Sequence, residues 1–209
     1  PIAMRKLAVM SLFQWYAMSG YWGYIIYSIS RSVYDTANPT DEGFKTAQLT
    51  NGEMAAFYNG IGFVLAFAMV PLSKRFGANR VHALCLILAG LGMLLLPSVE
   101  NKLLLFGPAI GIGIGWASIM GNPYIILANA IPPDRTGVYM GIFNMMIVIP
   151  MLLYSFTMPF MYHSLLDGDP RNVLRLSGVL MFIAAIAVWW VKTEVATAQG
   201  ASMENVDGQ

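Results

Sequence analysis

The sequence predicts an all-α polytopic membrane protein that folds as a six-helix bundle. Of its 209 residues, 57% are hydrophobic and only 11% are charged, and the mean hydropathy is +0.60. A soluble domain would carry roughly 25% charged residues. The apolar residues also fall in long runs, and a helix needs about 20 of them to cross a bilayer. Six runs meet or approach that length, at about 7–29, 54–72, 81–97, 103–130, 137–162 and 173–191.

The first run follows Arg5 and Lys6, but it is too long and too aromatic for a signal peptide, so we interpret it as a retained spanning helix. Its aromatic and polar residues fall on several sides of the helix and leave no clean lipid face. We therefore expect protein and a cavity around it. One stripe holds Ser11, Trp15, Ser19 and Trp22, and another, at intervals of seven, holds Gln14, Tyr21 and Ser28.

The second and third runs are joined by a tight basic connection, "SKRFGANR", at residues 73–80. A longer polar segment, about 30–53, precedes the second run, and we predict a loop there on the opposite face of the membrane. The third run is the shortest of the six.

The fourth run carries Gly107, Gly111 and Gly115, four residues apart, a spacing that lets another helix approach closely. Pro123 removes a backbone hydrogen bond beside Asn122. Two interpretations stay open for this segment: a kinked helix that offers polar groups to a ligand, or helix packing alone.

The fifth run follows the turn "IPPDRTG" at residues 131–137. The two prolines end the fourth helix, and Asp134 can cap the fifth. Gly137 and Gly141 fall on one face with Asn144, and we expect the two glycines to form a packing face.

The sixth run ends near Val191, so residues 1–192 form the predicted membrane domain and the polar residues 193–209 a disordered tail. Six spans put both termini on one side. Basic residues are in excess on that side, which predicts that both termini are cytoplasmic and that the protein lies in the cell's inner (plasma) membrane. The terminal side holds Arg5, Lys6, Lys74, Arg75, Arg80, Arg135 and Lys192, and the other holds Arg31, Lys45, Lys102, Arg171 and Arg175.

Several amides lie within or at the edge of apolar runs, where an unpartnered polar group costs several kcal/mol. They must point at protein or at a water-filled cavity. Interhelical hydrogen bonding and the lining of a cavity are both compatible with this pattern. The residues are Gln14, Asn59, Asn122, Asn129 and Asn144.

The composition argues against several classes of function. The basic residues are scattered and the net charge is +1, which argues against nucleic-acid binding. Cys85 is the single cysteine, and His82 and His163, near opposite membrane surfaces, are the only histidines, so no usual zinc set can form. No nucleophile–base pair indicates an enzyme. We expect no metal and no cofactor.

The run "GWASIMGNPYIILANAIPPDRTGVYMGIFNMMIVIPM", residues 115–151, resembles the tenth and eleventh helices of the major facilitator superfamily, in its sucrose-transporter-like and glycoside-pentoside-hexuronide cation symporter branch. "MRKLAVMSLFQWYAMSGYWGYI" is similar to the seventh helix of that branch, and "PLSKRFGANRVHALCLILAGLG" to its loop between helices eight and nine. The resemblance covers Met4 to about Val191, which is the C-terminal six-helix half of a twelve-helix transporter.

The resemblance implies two six-helix bundles with a substrate site between them at the membrane midplane. It implies a sugar substrate, such as the disaccharides sucrose or maltose, moved with protons by alternating access. Sugars bind to aromatic faces and planar amides. We therefore expect the substrate at Gln14, Trp15, Ser19, Trp22, Asn59, Trp116, Asn122 and Asn144. We expect a gating loop at Lys74, Arg75, Arg80, Asp134 and Arg135.

The chain departs from the superfamily's loop signature, because Val70 stands where its first glycine belongs and Lys74 where its aspartate belongs. Proton coupling needs a titratable group inside the membrane, and no Asp, Glu, Lys or Arg falls inside a predicted span. We therefore expect the coupling carboxylate in an N-terminal six-helix half. The expected partners of this segment are that half and the membrane lipid. The missing initiator Met suggests a piece of a longer chain. Two other interpretations stay open: the same fold with a drug or nucleoside substrate, and a six-helix membrane scaffold that transports nothing.

Overall fold

The computed structural model describes residues 2–131 and 135–191, and within them the chain forms six long α-helices and no strand. The predicted all-α six-helix fold is confirmed. Two short 3-10 turns, Leu96–Ser98 and Leu103–Leu105, lie between the third and fourth helices. The helices are α1 Ile2–Val33, α2 Glu42–Phe76, α3 Ala78–Leu95, α4 Phe106–Ala128, α5 Thr136–Ser164 and α6 Pro170–Trp189.

Five helices have both the length and the apolar composition needed to cross a membrane, counted over the described residues. The exception is α1, whose 32 residues are long enough but include many tyrosines, serines and tryptophans. Polar residues from both of its stripes are buried inside the bundle, and Ser11 and Gln14 are at most 1% exposed. The sequence therefore marks α1 as the helix that faces protein rather than lipid.

The helices pack as a connected bundle in which α6 lies against both α1 and α3, and α4 lies against both α2 and α3. α5 packs on α1, and α2 and α5 are the least buried of the apolar spans. α1 and α4 make few direct backbone contacts, so their relative position depends on what lies between them.

The predicted loop at residues 30–53 was too long, because α1 continues to Val33 and α2 already begins at Glu42. Pro39 lies before the new helix start, and no proline or β-branched run interrupts residues 42–53. Side chains hold this early part of α2: the Tyr34 hydroxyl lies 2.6 Å from that of Thr50. The polar residues of the segment thus lie on a helix that extends past the apolar stretch.

The connection between α2 and α3 is a single residue, Gly77, whose φ of +89° favours glycine. Beside it, the amide of Asn79 donates to the carbonyl of Val191 at 3.0 Å. Lys6 donates to the carbonyl of Trp190 at 2.6 Å. The start of α1, the α2–α3 turn and the end of α6 are therefore fastened together. We call this the inner end of the bundle.

Two of the three regularly spaced glycines of α4 lie against α3. A Cβ at Gly111 would collide with the backbone of Leu88, and one at Gly115 would collide with the side chain of Ala89, both on α3. The packing interpretation of this spacing therefore holds for these two glycines. Gly107 has no described atom within 4 Å of the Cβ position.

The glycines of α5 pack on nothing in the described part of the chain. Neither Gly137 nor Gly141 has an atom there within 4 Å of its Cβ position. The predicted packing face is therefore open in this six-helix unit. Asp134, as cap of α5, and the tail 193–209 lie outside the described residues.

Candidate substrate surface and buried polar chain

Three tryptophans from α1 and α4 form a contiguous aromatic group. The rings of Trp22 and Trp116 meet edge to face with centroids 5.6 Å apart, and Trp15 lies 6.3 Å from Trp22. Trp15 is 8% exposed, whereas Trp22 is 39% exposed. The group therefore has a buried base and one partly exposed indole, which can stack against a flat apolar surface.

A pair of tyrosines lies beside the tryptophans. Tyr21 of α1 and Tyr58 of α2 meet edge to face at 6.4 Å, and the side chains of Trp22 and Asn59 approach the Tyr58 hydroxyl. Asn59 is exposed, and its amide nitrogen donates to the carbonyl of Ala55 at 2.8 Å, whereas its amide oxygen is an acceptor. An aromatic face and an amide oxygen thus lie near one another.

A second arrangement, formed by uncharged polar groups, is buried between four helices. His82 of α3 lies with Nε2 2.9 Å from Oε1 of Gln14 on α1, and with Nδ1 2.8 Å from the hydroxyl of Ser118 on α4. The amide of Asn122 donates to Ser118 at 2.7 Å, and the hydroxyl of Ser73, on α2, donates to Oδ1 of Asn122 at 2.6 Å. We call these five residues the buried polar chain.

The donors and acceptors of the buried polar chain fit one direction. Oε1 of Gln14 can only accept, so Nε2 of His82 carries the hydrogen. A neutral imidazole then accepts at Nδ1 from the Ser118 hydroxyl, whose oxygen accepts the Asn122 amide. His82, Ser118 and Asn122 are 0% exposed. A neutral His82 with its hydrogen on Nε2 therefore satisfies every link.

The structure brings some of the predicted substrate residues together and separates others. Trp15, Trp22, Trp116 and Asn59 lie in and around the aromatic group. Ser19 is 9% exposed and turns its hydroxyl to the carbonyl of Trp15, 2.9 Å away. Their contact with a substrate stays a prediction.

The other three predicted substrate residues lie elsewhere. Gln14 and Asn122 are buried, and protein groups take up their hydrogen bonds in the buried polar chain. Asn144 is exposed on α5, and its contact with a substrate stays a prediction. For the first two, interhelical hydrogen bonding is the interpretation that the observed contacts favour.

Sequence reasoning did not assign His82, Ser118 or Ser73 to a site, and it gave His82 only a place near a surface. The histidine does lie in the second turn of α3, but it is fully buried. Its two partners are 68 and 36 residues away in the chain. A weak signal was present, because a serine and an asparagine four apart, Ser118 and Asn122, share one helix face.

The predicted gating residues that the structure describes lie at the inner end. Lys74 and Arg75 are exposed in the last turn of α2, and Arg80 is exposed in the first turn of α3. Arg135 is exposed just before α5, and Asp134 lies outside the described residues. This end is therefore basic, and its role in gating stays a prediction.

The opposite, outer end is held by ion pairs. Asp169 caps α6 by accepting from the backbone of Arg171, and it pairs with that guanidinium at 2.7 Å and with Arg31 of α1 at 3.7 Å. Partial burial raises the pKa of Asp169, but the hydrogen bonds and charge of Arg171, with the charge of Arg31, outweigh it, so the pKa lies below its ordinary value. Asp169 therefore joins the end of α1 to the start of α6.

The grooves on the outside of the bundle are apolar. One, of about 290 Å³, lies between α1, α5 and α6 around Phe13, and another, of about 660 Å³, lies between α2 and α4 around Ile61. Their walls are almost entirely hydrocarbon. A sugar needs several polar partners, so the aromatic group with its amide neighbour suits that ligand class better.

One comparison with known proteins agrees with this architecture. The family model described as Major Facilitator Superfamily matches residues 20–205. No curated protein and no solved structure matches the chain.

Proposed function

Because the chain belongs to the major facilitator superfamily, a family of membrane transporters, we propose that it is the C-terminal half of a secondary active transporter that moves a sugar with protons. The proposed substrate is a disaccharide such as sucrose or maltose. Alternating access between this bundle and an N-terminal six-helix half would carry it across the membrane.

The observation that carries the sugar proposal is the open edge-to-face pair of Trp22 and Trp116 with Asn59 beside it. A sugar ring presents C–H surfaces to an indole and hydroxyls to an amide, and both kinds of partner are near each other. Asn144, exposed on α5, is proposed to meet the substrate from the neighbouring side.

The distribution of charge supports cytoplasmic termini and an inner-membrane location. The inner end carries cations and no acid among the described residues, whereas seven acids accompany the cations of the outer end. Cytoplasmic ends of membrane helices are enriched in Lys and Arg. The inner-end cations are Arg5, Lys6, Lys74, Arg75, Arg80 and Arg135.

The proposed orientation can be tested with two single-cysteine variants. Lys74→Cys at the inner end should react with a membrane-impermeant maleimide only after the cells are opened. Lys102→Cys at the outer end should react in intact cells. The reverse pattern would overturn the orientation.

Proton coupling is proposed to use a carboxylate of the N-terminal half. In the described residues, every Asp and Glu lies in an end turn or a connection, apart from Glu53. Glu53 belongs to the outer part of α2, where it pairs with Lys102 of the α3–α4 connection at 2.7 Å. This bundle then contributes the aromatic wall and the partner half contributes the titratable group.

The test uses cells that express the intact gene, with the external pH recorded as sucrose, maltose and unrelated solutes are added. Alkalinisation with one disaccharide, abolished by a protonophore, is the expected result. If the external pH changes with none of the sugars while the protein is shown to be in the membrane, the sugar proposal is overturned. That result would favour transport of a drug or a nucleoside, or a scaffold that transports nothing.

Trp22→Ala tests the site itself. Loss of the open indole should raise the half-saturating sugar concentration by about tenfold or more, which corresponds to about 1.4 kcal/mol. Trp190→Ala is the matched control, because Trp190 is 68% exposed at the far end of α6. Equal uptake by both variants at equal expression would remove Trp22 from the site.

A further inference from the structure

We infer that the buried polar chain, with a neutral His82 at its centre, is the positioning element that sets α1 against α4 and thereby fixes the Trp22–Trp116 pair. This inference rests on the proposed function for its link to sugar. Its structural part, the placing of α1 against α4, stands independently of any substrate.

The first step concerns how α1 and α4 are held. The two helices make few direct backbone contacts, although they supply the two rings of the aromatic pair. His82 lies between them and reaches Gln14 on one side and Ser118 on the other. The imidazole therefore supplies a polar bridge across a gap that the backbones leave.

The second step concerns the distance from the bridge to the pair. Gln14 directly precedes Trp15, which lies against Trp22, and Ser118 lies two residues after Trp116. A shift of either helix along its axis would move its tryptophan by the same amount. The 5.6 Å separation of the Trp22 and Trp116 rings thus depends on the register that the bridge maintains.

The third step concerns the single direction of the hydrogen bonds. Each donor meets one acceptor from Ser73 through Asn122, Ser118 and His82 to Gln14, and the groups are uncharged. A sliding helix would leave buried donors and acceptors without partners, which is costly in a membrane interior. The buried polar chain therefore favours the observed register of the four helices over registers shifted along the helix axes.

The test measures the α1–α4 distance without substrate. Spin labels are placed at Val9→Cys and Met120→Cys, which are 47% and 46% exposed, in the full-length transporter with other reactive cysteines removed. Cys85 is buried and is retained. Pulsed electron resonance then gives the distance distribution between the two labels.

The key variant is His82→Leu, which should broaden or shift the distribution. His82→Asn retains an amide at the place of Nδ1, and His82→Gln retains one at the place of Nε2, so each should restore part of the native distribution. Leu86→Val is the matched control, one turn along α3 and 0% exposed. It removes a buried methylene without touching a hydrogen bond, so it should leave the distance unchanged.

Sugar binding by the same variants connects the register to the substrate. His82→Leu should weaken binding by about tenfold, with partial recovery in His82→Asn or His82→Gln and none of this loss in Leu86→Val. A parallel loss in the Leu86→Val control would indicate general destabilisation and overturn the inference.

The remaining outcomes separate the two proposals. An unchanged distance in His82→Leu overturns the positioning inference, whatever the sugar assay gives. A changed distance with normal sugar binding overturns the link to the aromatic pair. A changed distance with no sugar binding even in the unmodified protein supports the positioning role and overturns the sugar proposal alone.

Discussion

Replacing Gly115 by alanine should destabilise the bundle, whereas the same change at Gly121 on the same helix should not. A Cβ at Gly115 would collide with the side chain of Ala89 and lie 3.2 Å from the carbonyl oxygen of Cys85, so α3 and α4 would have to move apart. At Gly121 no described atom lies within 4 Å.

The expected size follows from two opposing effects. Overpacking a well-filled contact costs about 1–3 kcal/mol, and replacing a helical glycine by alanine recovers about 0.5–1 kcal/mol. The free energy of unfolding of Gly115→Ala should therefore fall by about 0–2.5 kcal/mol. We expect a value in the upper part of that range, because the colliding Cβ of Ala89 is bonded to the helix backbone and cannot rotate away. Gly121→Ala should be neutral or slightly stabilising.

Thermal unfolding of the purified protein in one detergent, followed by size-exclusion chromatography after heating, compares the two variants. Gly115→Ala should unfold at a lower temperature than the unmodified protein, and Gly121→Ala at the same or a higher one. Equal behaviour of the two would refute the close α3–α4 contact on which the fold description depends.

Three further changes test other parts of the bundle. Asn122→Leu leaves the buried Ser73 hydroxyl without its acceptor and removes one of the two hydrogen bonds of Ser118, so the free energy of unfolding should fall by about 1–3 kcal/mol. Asp169 has a pKa below its ordinary value, so the stability it contributes is present above the pKa of the unfolded chain and is lost as the pH falls through the folded pKa. Asp169→Asn, which lacks the carboxylate that pairs with Arg171, should show a weaker loss of thermal stability between neutral and strongly acidic pH than the unmodified protein. Lys102→Met removes an ion pair with Glu53 whose side chains are 41% and 51% exposed, and because water screens such a pair the thermal unfolding temperature should hardly change. A clear fall in that temperature would show that the pair is more buried than the structure has it.

Much of the fold could be predicted because a spanning helix must satisfy its own backbone in an apolar run, and such runs are visible in the sequence. The helix ends were harder. α2 begins at Glu42 because polar residues outside the membrane can continue a helix, and hydropathy carries no information about them. The glycine spacing in α4 predicted close packing, but only the structure shows that α3 is the neighbour of Gly111 and Gly115.

The candidate site was predictable in its aromatic part and not in its polar part. Tryptophans in midspan stand out in a sequence, and Trp15, Trp22 and Trp116 do come together. A buried amide can serve a ligand or another helix equally well, and the choice depends on which side chains the other helices bring to it. For Gln14 that partner is His82, which no local pattern connects to it.

The single-residue connection at Gly77 has a consequence for how the bundle can move. The connection is one residue long, and Asn79 is hydrogen-bonded to the carbonyl of Val191 just after α6, so the ends of these helices cannot move far relative to one another. The inner tips of α2, α3 and α6 must then tilt together as one block during any rocking of the bundle. Relative sliding of α1 and α2 is easier at the outer end, where the eight residues 34–41 separate them and can change their dihedral angles.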